Sequence, residues 1–182
     1  MPIPLGVLAV AGAGAAGGGA AFELIESVIL GTDATVTFSN IPQDYKHLQI
    51  RMAARGSYGV EDDYARMTFN TGGSYAGHEL IGNGSTVTSV ERVGGDYIAW
   101  IGGNTMPANV FGAAIVDILD YSNTNKNTTA RSLGGVFGNT FKTIRLISFA
   151  WFSTAAVTQI QLKNAANGNF KAGSRFSLYG IK

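Results

Sequence analysis

A chain of 182 residues is long enough to bury a substantial core in a single domain without disulfides or metals. With 14% charged residues and a net charge of +1, it lacks the basic surface of a nucleic-acid-binding protein, and the absence of Cys excludes disulfides, thiolate metal sites and thiol nucleophiles. The same low charge, beside 46% hydrophobic residues, predicts that part of the surface packs against other subunits in a homo-oligomer.

The first 22 residues, MPIPLGVLAVAGAGAAGGGAAF, contain no charged side chain. A secretory signal peptide would carry Lys or Arg near its start. A membrane helix would need about 20 strongly apolar residues, whereas this segment holds six Gly and two Pro. Neither interpretation is favoured, and no membrane partner is expected.

Residues 12–17, GAGAAG, match the G-x-G-x-x-G fingerprint of dinucleotide-binding folds. That fingerprint functions within a strand–helix–strand unit whose second strand ends in an acidic residue that binds the ribose. Here the second strand would end at Ser39 and Asn40, and the chain beyond it does not alternate strands with helices. A Gly-Ala repeat matches the fingerprint by composition alone, so no cofactor is predicted.

We interpret residues 1–21 as an extended arm used in assembly. Ordering a Gly-rich backbone costs about 1–2 kcal/mol per residue, so the arm needs a groove on a partner to hold it. Its anchors would be the larger apolar side chains Ile3, Leu5, Val7 and Leu8. A disordered leader without a binding role is the alternative.

The rest of the chain shows period-two alternation of apolar and polar residues, bounded by Gly, Pro, Asp and Asn, which predicts antiparallel strands. In residues 22–54 a hairpin around Gly31 and a third strand begin a sheet. Further strands are predicted at residues 64–69, 86–93, 96–101, 110–121, 130–137, 140–152, 157–163 and 174–181.

Individual strands carry more specific expectations. Residues 75–82 are ambiguous, residues 86–93 suit an edge strand, and residues 110–121 suit a central strand in spite of their helical length. The final strand is expected to pair with an early one. About ten short strands with regular turn signals predict an all-β fold, an antiparallel two-sheet sandwich of jelly-roll type over residues 22–182, behind the arm at residues 1–21.

Three adjacent acidic residues, Glu61, Asp62 and Asp63, end a predicted loop at residues 55–63. They lack the ligand spacing, the turn Gly and the terminal Glu of a Ca²⁺ loop. We therefore predict a solvated loop tip there and no metal site.

Catalytic residues are scarce. His47 begins a predicted strand on its polar face, and His78 lies beside Glu79 in the ambiguous segment. There is no G-x-S-x-G elbow for a serine nucleophile. A zinc site needs at least three protein ligands, and two scattered histidines do not suggest one. Asp117 and Asp120 fall on opposite faces of a predicted strand, so they would not converge as a glycosidase pair. The sequence predicts a protein that is not an enzyme.

Exposed aromatic side chains offer a different function, because Tyr and Trp stack on sugar rings. Tyr58 and Tyr75, in the segments at residues 55–63 and 71–77, are possible glycan contacts, with a third loop at residues 122–129. Trp100 and Trp151 lie on alternating strands, where a Trp more often belongs to the core or to a subunit interface.

Three segments resemble small tailed-bacteriophage virion proteins: FELIESVILGTDATVTFSNIPQDYKHLQIRMAAR at residues 22–55, VDILDYSNTNKNTTARSLGG at 116–135 and GSRFSLYGIK at 173–182. The leader at residues 2–20 is similar to theirs as well. The resemblance implies a noncatalytic structural protein of the virion, assembled in the host cytoplasm and trimeric. It would be a capsid decoration or cement protein or a short fibre, bound to capsid or tail subunits. A tail-fibre or receptor-binding tip that recognises a host glycan is the alternative.

Overall fold

A computed structural model describes residues 20–165 and 168–182, and twelve β-strands account for most of them. No α-helix occurs in these two ranges. The strands are β1 (Phe22–Ile29), β2 (Val36–Phe38), β3 (His47–Ala54), β4 (Asp62–Phe69), β5 (Tyr75–Gly82), β6 (Val87–Val93), β7 (Tyr97–Gly102), β8 (Gly112–Leu119), β9 (Thr128–Phe137), β10 (Lys142–Trp151), β11 (Ile160–Asn164) and β12 (Arg175–Ile181).

The strands form two antiparallel sheets that pack as a sandwich. The large sheet has the order β1-β12-β3-β8-β9-β10-β5-β6, and the small sheet has the order β2-β11-β4-β7. The quartets β1-β12-β3-β8 and β2-β11-β4-β7 have the strand order of a jelly roll, in which the chain passes repeatedly from one sheet to the other. The remaining strands, β5, β6, β9 and β10, are two inserted pairs that widen the large sheet. The predicted jelly-roll sandwich is confirmed.

The core lies between the sheets because each strand turns its alternate apolar residues inward. Phe38 and Phe69 of the small sheet and Phe176 of the large sheet are fully buried. Phe69 packs against the large sheet, with its ring centroid 5.6 Å from that of Trp151 and 6.2 Å from that of Phe149. Trp100 and Trp151 were expected in the core or at a subunit interface. Both are buried within the single chain, which confirms the first of these positions.

Several strand predictions are confirmed in detail. The last strand, β12, pairs with β1 and β3. Strand β8 is central, between β3 and β9, and β6 is an edge strand of the large sheet. The ambiguous segment at residues 75–82 is strand β5, which pairs with β6 and β10.

Three predictions need correction. The hairpin expected around Gly31 does not form, because β1 pairs with β12 in the large sheet whereas β2 pairs with β11 in the small sheet. Asp62 and Asp63 belong to strand β4, and Asp63 is fully buried, so the acidic cluster is not a solvated loop tip. Strand β11 begins at Ile160 rather than at residue 157, because the Val157 amide donates to the carbonyl of Tyr121 outside the sheet ladder.

The anchors Ile3, Leu5, Val7 and Leu8 lie outside the described residues. The arm at residues 1–21 and its boundary with the sandwich therefore stay predictions. The described chain begins beside β1, at one edge of the large sheet.

Candidate functional site

The outer face of the large sheet, turned away from the small sheet, carries a continuous row of half-exposed apolar side chains. Strand register places Ile115 opposite Leu133, Leu133 opposite Leu146, and Leu146 opposite Leu80. These four residues, called the apolar row below, are 48%, 55%, 48% and 49% exposed in that order. At about 4.8 Å between strands, the row is about 14 Å long.

A second row runs beside the apolar row, and three of its five residues are small. It contains Ala113, Gly135, Ile144, Gly82 and Val87, which stand opposite one another across five strands. Where Ala113 and the two glycines lack bulk, the surface forms a shallow depression of about 500 Å³. Ile144 and Val87 project from the same row and are 58% and 78% exposed. We call these five residues the small-residue row.

A third row, on the opposite flank of the apolar row, is polar. It consists of Gln49, Asp117, Arg131, Ser148, His78 and Glu91, on six adjacent strands. Within it, Asp117 accepts a 2.9 Å hydrogen bond from Gln49 and lies 3.5 Å from the Arg131 guanidinium. This polar row gives the apolar surface a charged border.

Strand β10 shows why the outer face is apolar. Its inward residues Ile147, Phe149 and Trp151 are buried, yet its outward residues Ile144 and Leu146 are aliphatic too. Strands with apolar residues on both faces are typical of sheets that are covered on both sides. The outer face of the single chain is uncovered, so it is the strongest candidate for an interaction surface.

A buried ion-pair cluster fixes the inserted strands beneath this surface. Glu79 of β5 is 1% exposed and accepts two 2.9 Å hydrogen bonds from Nη1 of Arg145 on β10. Nε of Arg92 on β6 donates a further 2.8 Å bond to Glu79. The Arg145 guanidinium lies 3.6 Å from the ring centroid of Trp100, which belongs to the small sheet. Burial lowers the pKa of Arg145, and Glu79 opposes that shift.

A second buried polar pair lies at the other side of the sandwich. The Asp63 carboxylate accepts hydrogen bonds from Nδ2 of Asn164, at 2.8 Å, and from the Tyr64 amide, at 2.8 Å. Burial raises the pKa of Asp63, although these hydrogen bonds act in the opposite direction. A Cβ added at Gly56 would lie 1.8 Å from Asp63 Oδ2, so the backbone seals the pair from solvent. The pair connects β4 to β11 and is a packing element.

The two aromatic residues predicted as glycan contacts have different environments. Tyr58 is 51% exposed in the loop before β4, so its ring is accessible. The prediction for Tyr75 is wrong, because Tyr75 is 6% exposed and its hydroxyl accepts a 2.9 Å hydrogen bond from the Phe69 amide. Alternation places Tyr75 on the inner face of β5, a strand that the sequence left ambiguous.

The two histidines lie on separate strands of the large sheet, His47 on β3 and His78 on β5. His47 accepts a 3.0 Å hydrogen bond from the Asp120 amide, and His78 stands in the polar row. Across residues 20–165 and 168–182, no three His, Asp or Glu side chains are grouped so that they hold a metal ion. The described chain also has no helix of the length and apolar character that crossing a membrane requires.

Comparison with known proteins does not add a relative. No protein-family model matches the chain, and searches of curated proteins and of solved structures returned no match.

Proposed function

We propose that this chain is a noncatalytic structural subunit of a bacteriophage particle. It is a capsid decoration or cement protein or a short-fibre component, assembled in the host cytoplasm and retained in the virion. Its sandwich covers neighbouring subunits, and its N-terminal arm anchors it to a capsid or tail protein. The trimeric state implied by the sequence resemblance stays a prediction.

The apolar row is the observation that carries this proposal. Complete burial of an aliphatic side chain contributes about 1.5–3 kcal/mol, so covering the exposed half of each row member contributes about 1 kcal/mol. Four such residues in one line, with Ile144 and Val87 beside them, give a surface that is stabilised when another protein covers it. A structural subunit performs its function by making such contacts and needs no reacting group.

The mechanism is mechanical. A particle shell resists internal pressure better when a subunit buries surface on more than one neighbour. The arm adds a second attachment to the contact made by the sandwich, and two linked contacts hold more tightly than either alone. The phage setting rests on the sequence resemblance at residues 22–55, 116–135 and 173–182.

Deletion of residues 2–21 tests the anchoring role of the arm. We expect a folded sandwich that no longer attaches to phage particles, because β1 begins at Phe22 and the anchors Ile3, Leu5, Val7 and Leu8 are gone. Co-sedimentation with particles that lack the protein measures attachment, and circular dichroism checks the fold. A conservative control replaces the same residues by a Gly-Ser segment of equal length. Full attachment of the deletion variant would contradict the proposal.

The alternative function, recognition of a host glycan by a receptor-binding tip, is favoured by the exposure of Tyr58. If it is correct, Tyr58→Ala reduces binding to host polysaccharide about tenfold or more, since stacking on an aromatic ring is lost while the fold is unaffected. Phe152→Ala, which removes an aromatic ring of similar exposure, is the matched control. Absence of glycan binding by the unaltered protein on arrays and on host cells would exclude this alternative.

A further inference from the structure

We infer that the outer faces of two copies of this chain pack against each other about a two-fold axis that lies between β9 and β10 and runs parallel to those strands. This inference deepens the proposed function, because it rests on the claim that the outer face is an interface and names a second copy as the partner. It is argued from the order of residues in the three rows.

The apolar row is symmetric about the line between β9 and β10. A two-fold axis on that line brings Leu133 of one copy over Leu146 of the other, and Ile115 over Leu80. Each contact occurs twice, as in any two-fold interface. Sheets that pack face to face are about 10 Å apart, a gap that two layers of interdigitated aliphatic side chains fill.

The small-residue row is complementary to itself under the same operation. Ile144, which projects from β10, meets Gly135 of the second copy, where no side chain occupies the space. Val87 on β6 meets Ala53 on β3, and Ala113 meets Gly82. A large side chain is therefore opposite a small one in two of these three pairings, and the third pairing joins two small residues.

Under the same axis the polar row faces itself, so polar side chains stand opposite polar side chains. Asp117 of one copy faces His78 of the other, Arg131 faces Ser148, and Gln49 faces Glu91. No pair of like charges meets. An axis perpendicular to the strands would instead place Arg131 over Gly135 and Asp117 over Ala113, which would bury charges without partners. Of these two axes, the parallel one keeps polar against polar and apolar against apolar.

The surface is large enough for a stable contact. Strands β9 and β10 have ten residues each and are about 33 Å long. Six strands, from β3 to β6 in sheet order, have a width of about 24 Å. The other four strands have seven or eight residues, so the footprint is about 670 Å² on each copy, close to the roughly 800 Å² that one partner of a specific interface buries. Sheet twist rotates the facing strands by about 30°, so the correspondences are closest at the centre, where Leu133 and Leu146 lie.

A two-fold contact of this kind gives an even number of subunits. The protein forms a dimer of about twice the 19.0 kDa subunit mass or, combined with the three-fold contact implied by the sequence resemblance, a hexamer. Light scattering after size exclusion, with the full chain, measures this number. A monomer or an isolated trimer at micromolar concentration would overturn the inference.

A mixing experiment tests the residue pairing itself. Leu133→Glu and Leu146→Lys each place a charge against a leucine twice in the homodimer, so each is expected to raise the dissociation constant about 100-fold or more. Mixing the two variants opposes the introduced carboxylate and ammonium groups once and the two native leucines once. We expect the mixture to associate within about tenfold of the unaltered chain.

A second pair of variants repeats the mixing test at another position of the apolar row. Ile115→Lys and Leu80→Glu face each other across the same axis and are expected to behave as the first pair does. All four side chains are half-exposed, so the fold tolerates a charge there, and circular dichroism verifies it. Phe152→Glu, outside the three rows, is the control. Unchanged association of the single variants, or no recovery on mixing, would overturn the inference. Association in solution tests this pairing, whereas attachment to phage particles, measured in a separate experiment, tests the proposed function.

Discussion

Replacing Glu79 by glutamine is expected to lower the free energy of unfolding by about 3–5 kcal/mol. Glu79 is 1% exposed and is the shared acceptor of Arg145 and Arg92. The neutral amide leaves the buried Arg145 guanidinium without a counter-charge, and an uncompensated buried charge has a penalty of this size. Chemical denaturation monitored by tryptophan fluorescence measures the change, and Trp100, in contact with Arg145, makes that signal sensitive to the site.

Two comparisons make this result specific. Glu23→Gln removes a carboxylate that pairs with Lys182 at the protein surface, and we expect a much smaller change because solvent screens exposed pairs. The double variant Glu79→Gln/Arg145→Met removes both charges and is expected to recover part of the loss. A loss below about 1 kcal/mol for Glu79→Gln would show that the cluster does not hold the inserted strands to the small sheet.

Phe69→Ala is expected to lower the free energy of unfolding by about 3–5 kcal/mol through a different mechanism. Phe69 is fully buried and its ring lies among those of Tyr75, Phe149 and Trp151, so truncation leaves a cavity between the two sheets. The Phe69 amide still donates to the Tyr75 hydroxyl, so the backbone connection is retained. Denaturant titration measures the loss, and Phe152→Ala, at a site that is 53% exposed, is the control. A loss equal to that of the control would contradict this packing.

The sequence predicts the positions of most strands but only part of their order in the sheets. Alternation located most strands because a half-buried strand must repeat every two residues, and it identified β8 as central and β6 as an edge. The split into eight and four strands was not predicted, because pairing between distant segments leaves no local signal. The burial of Tyr75 also has no local signal, because its position on the inner face depends on its pairing with the distant residue Trp151.

The apolar row has a signal in the sequence. In residues 140–152 both alternating sets contain large apolar residues, whereas a strand covered on one side only would show mainly polar residues in one set. Phe149 and Trp151 belong to one set, and Ile144 and Leu146 belong to the other. The buried Asp63 had no such signal, because three consecutive acidic residues look solvated in isolation. Its burial follows from Asn164, 101 positions later in the chain, and from glycines that allow close approach. Gly180 also allows a close approach between distant segments, since a Cβ there would lie 2.4 Å from the Tyr45 ring.

The measurement that tests the central claim most directly is electron cryo-microscopy of intact phage particles produced in cells that express this protein. The account predicts the jelly-roll sandwich on the capsid or at a fibre, with Leu80, Ile115, Leu133 and Leu146 covered by a neighbouring subunit. Particles that lack the protein, or a bound sandwich whose outer face is open to solvent, would contradict it.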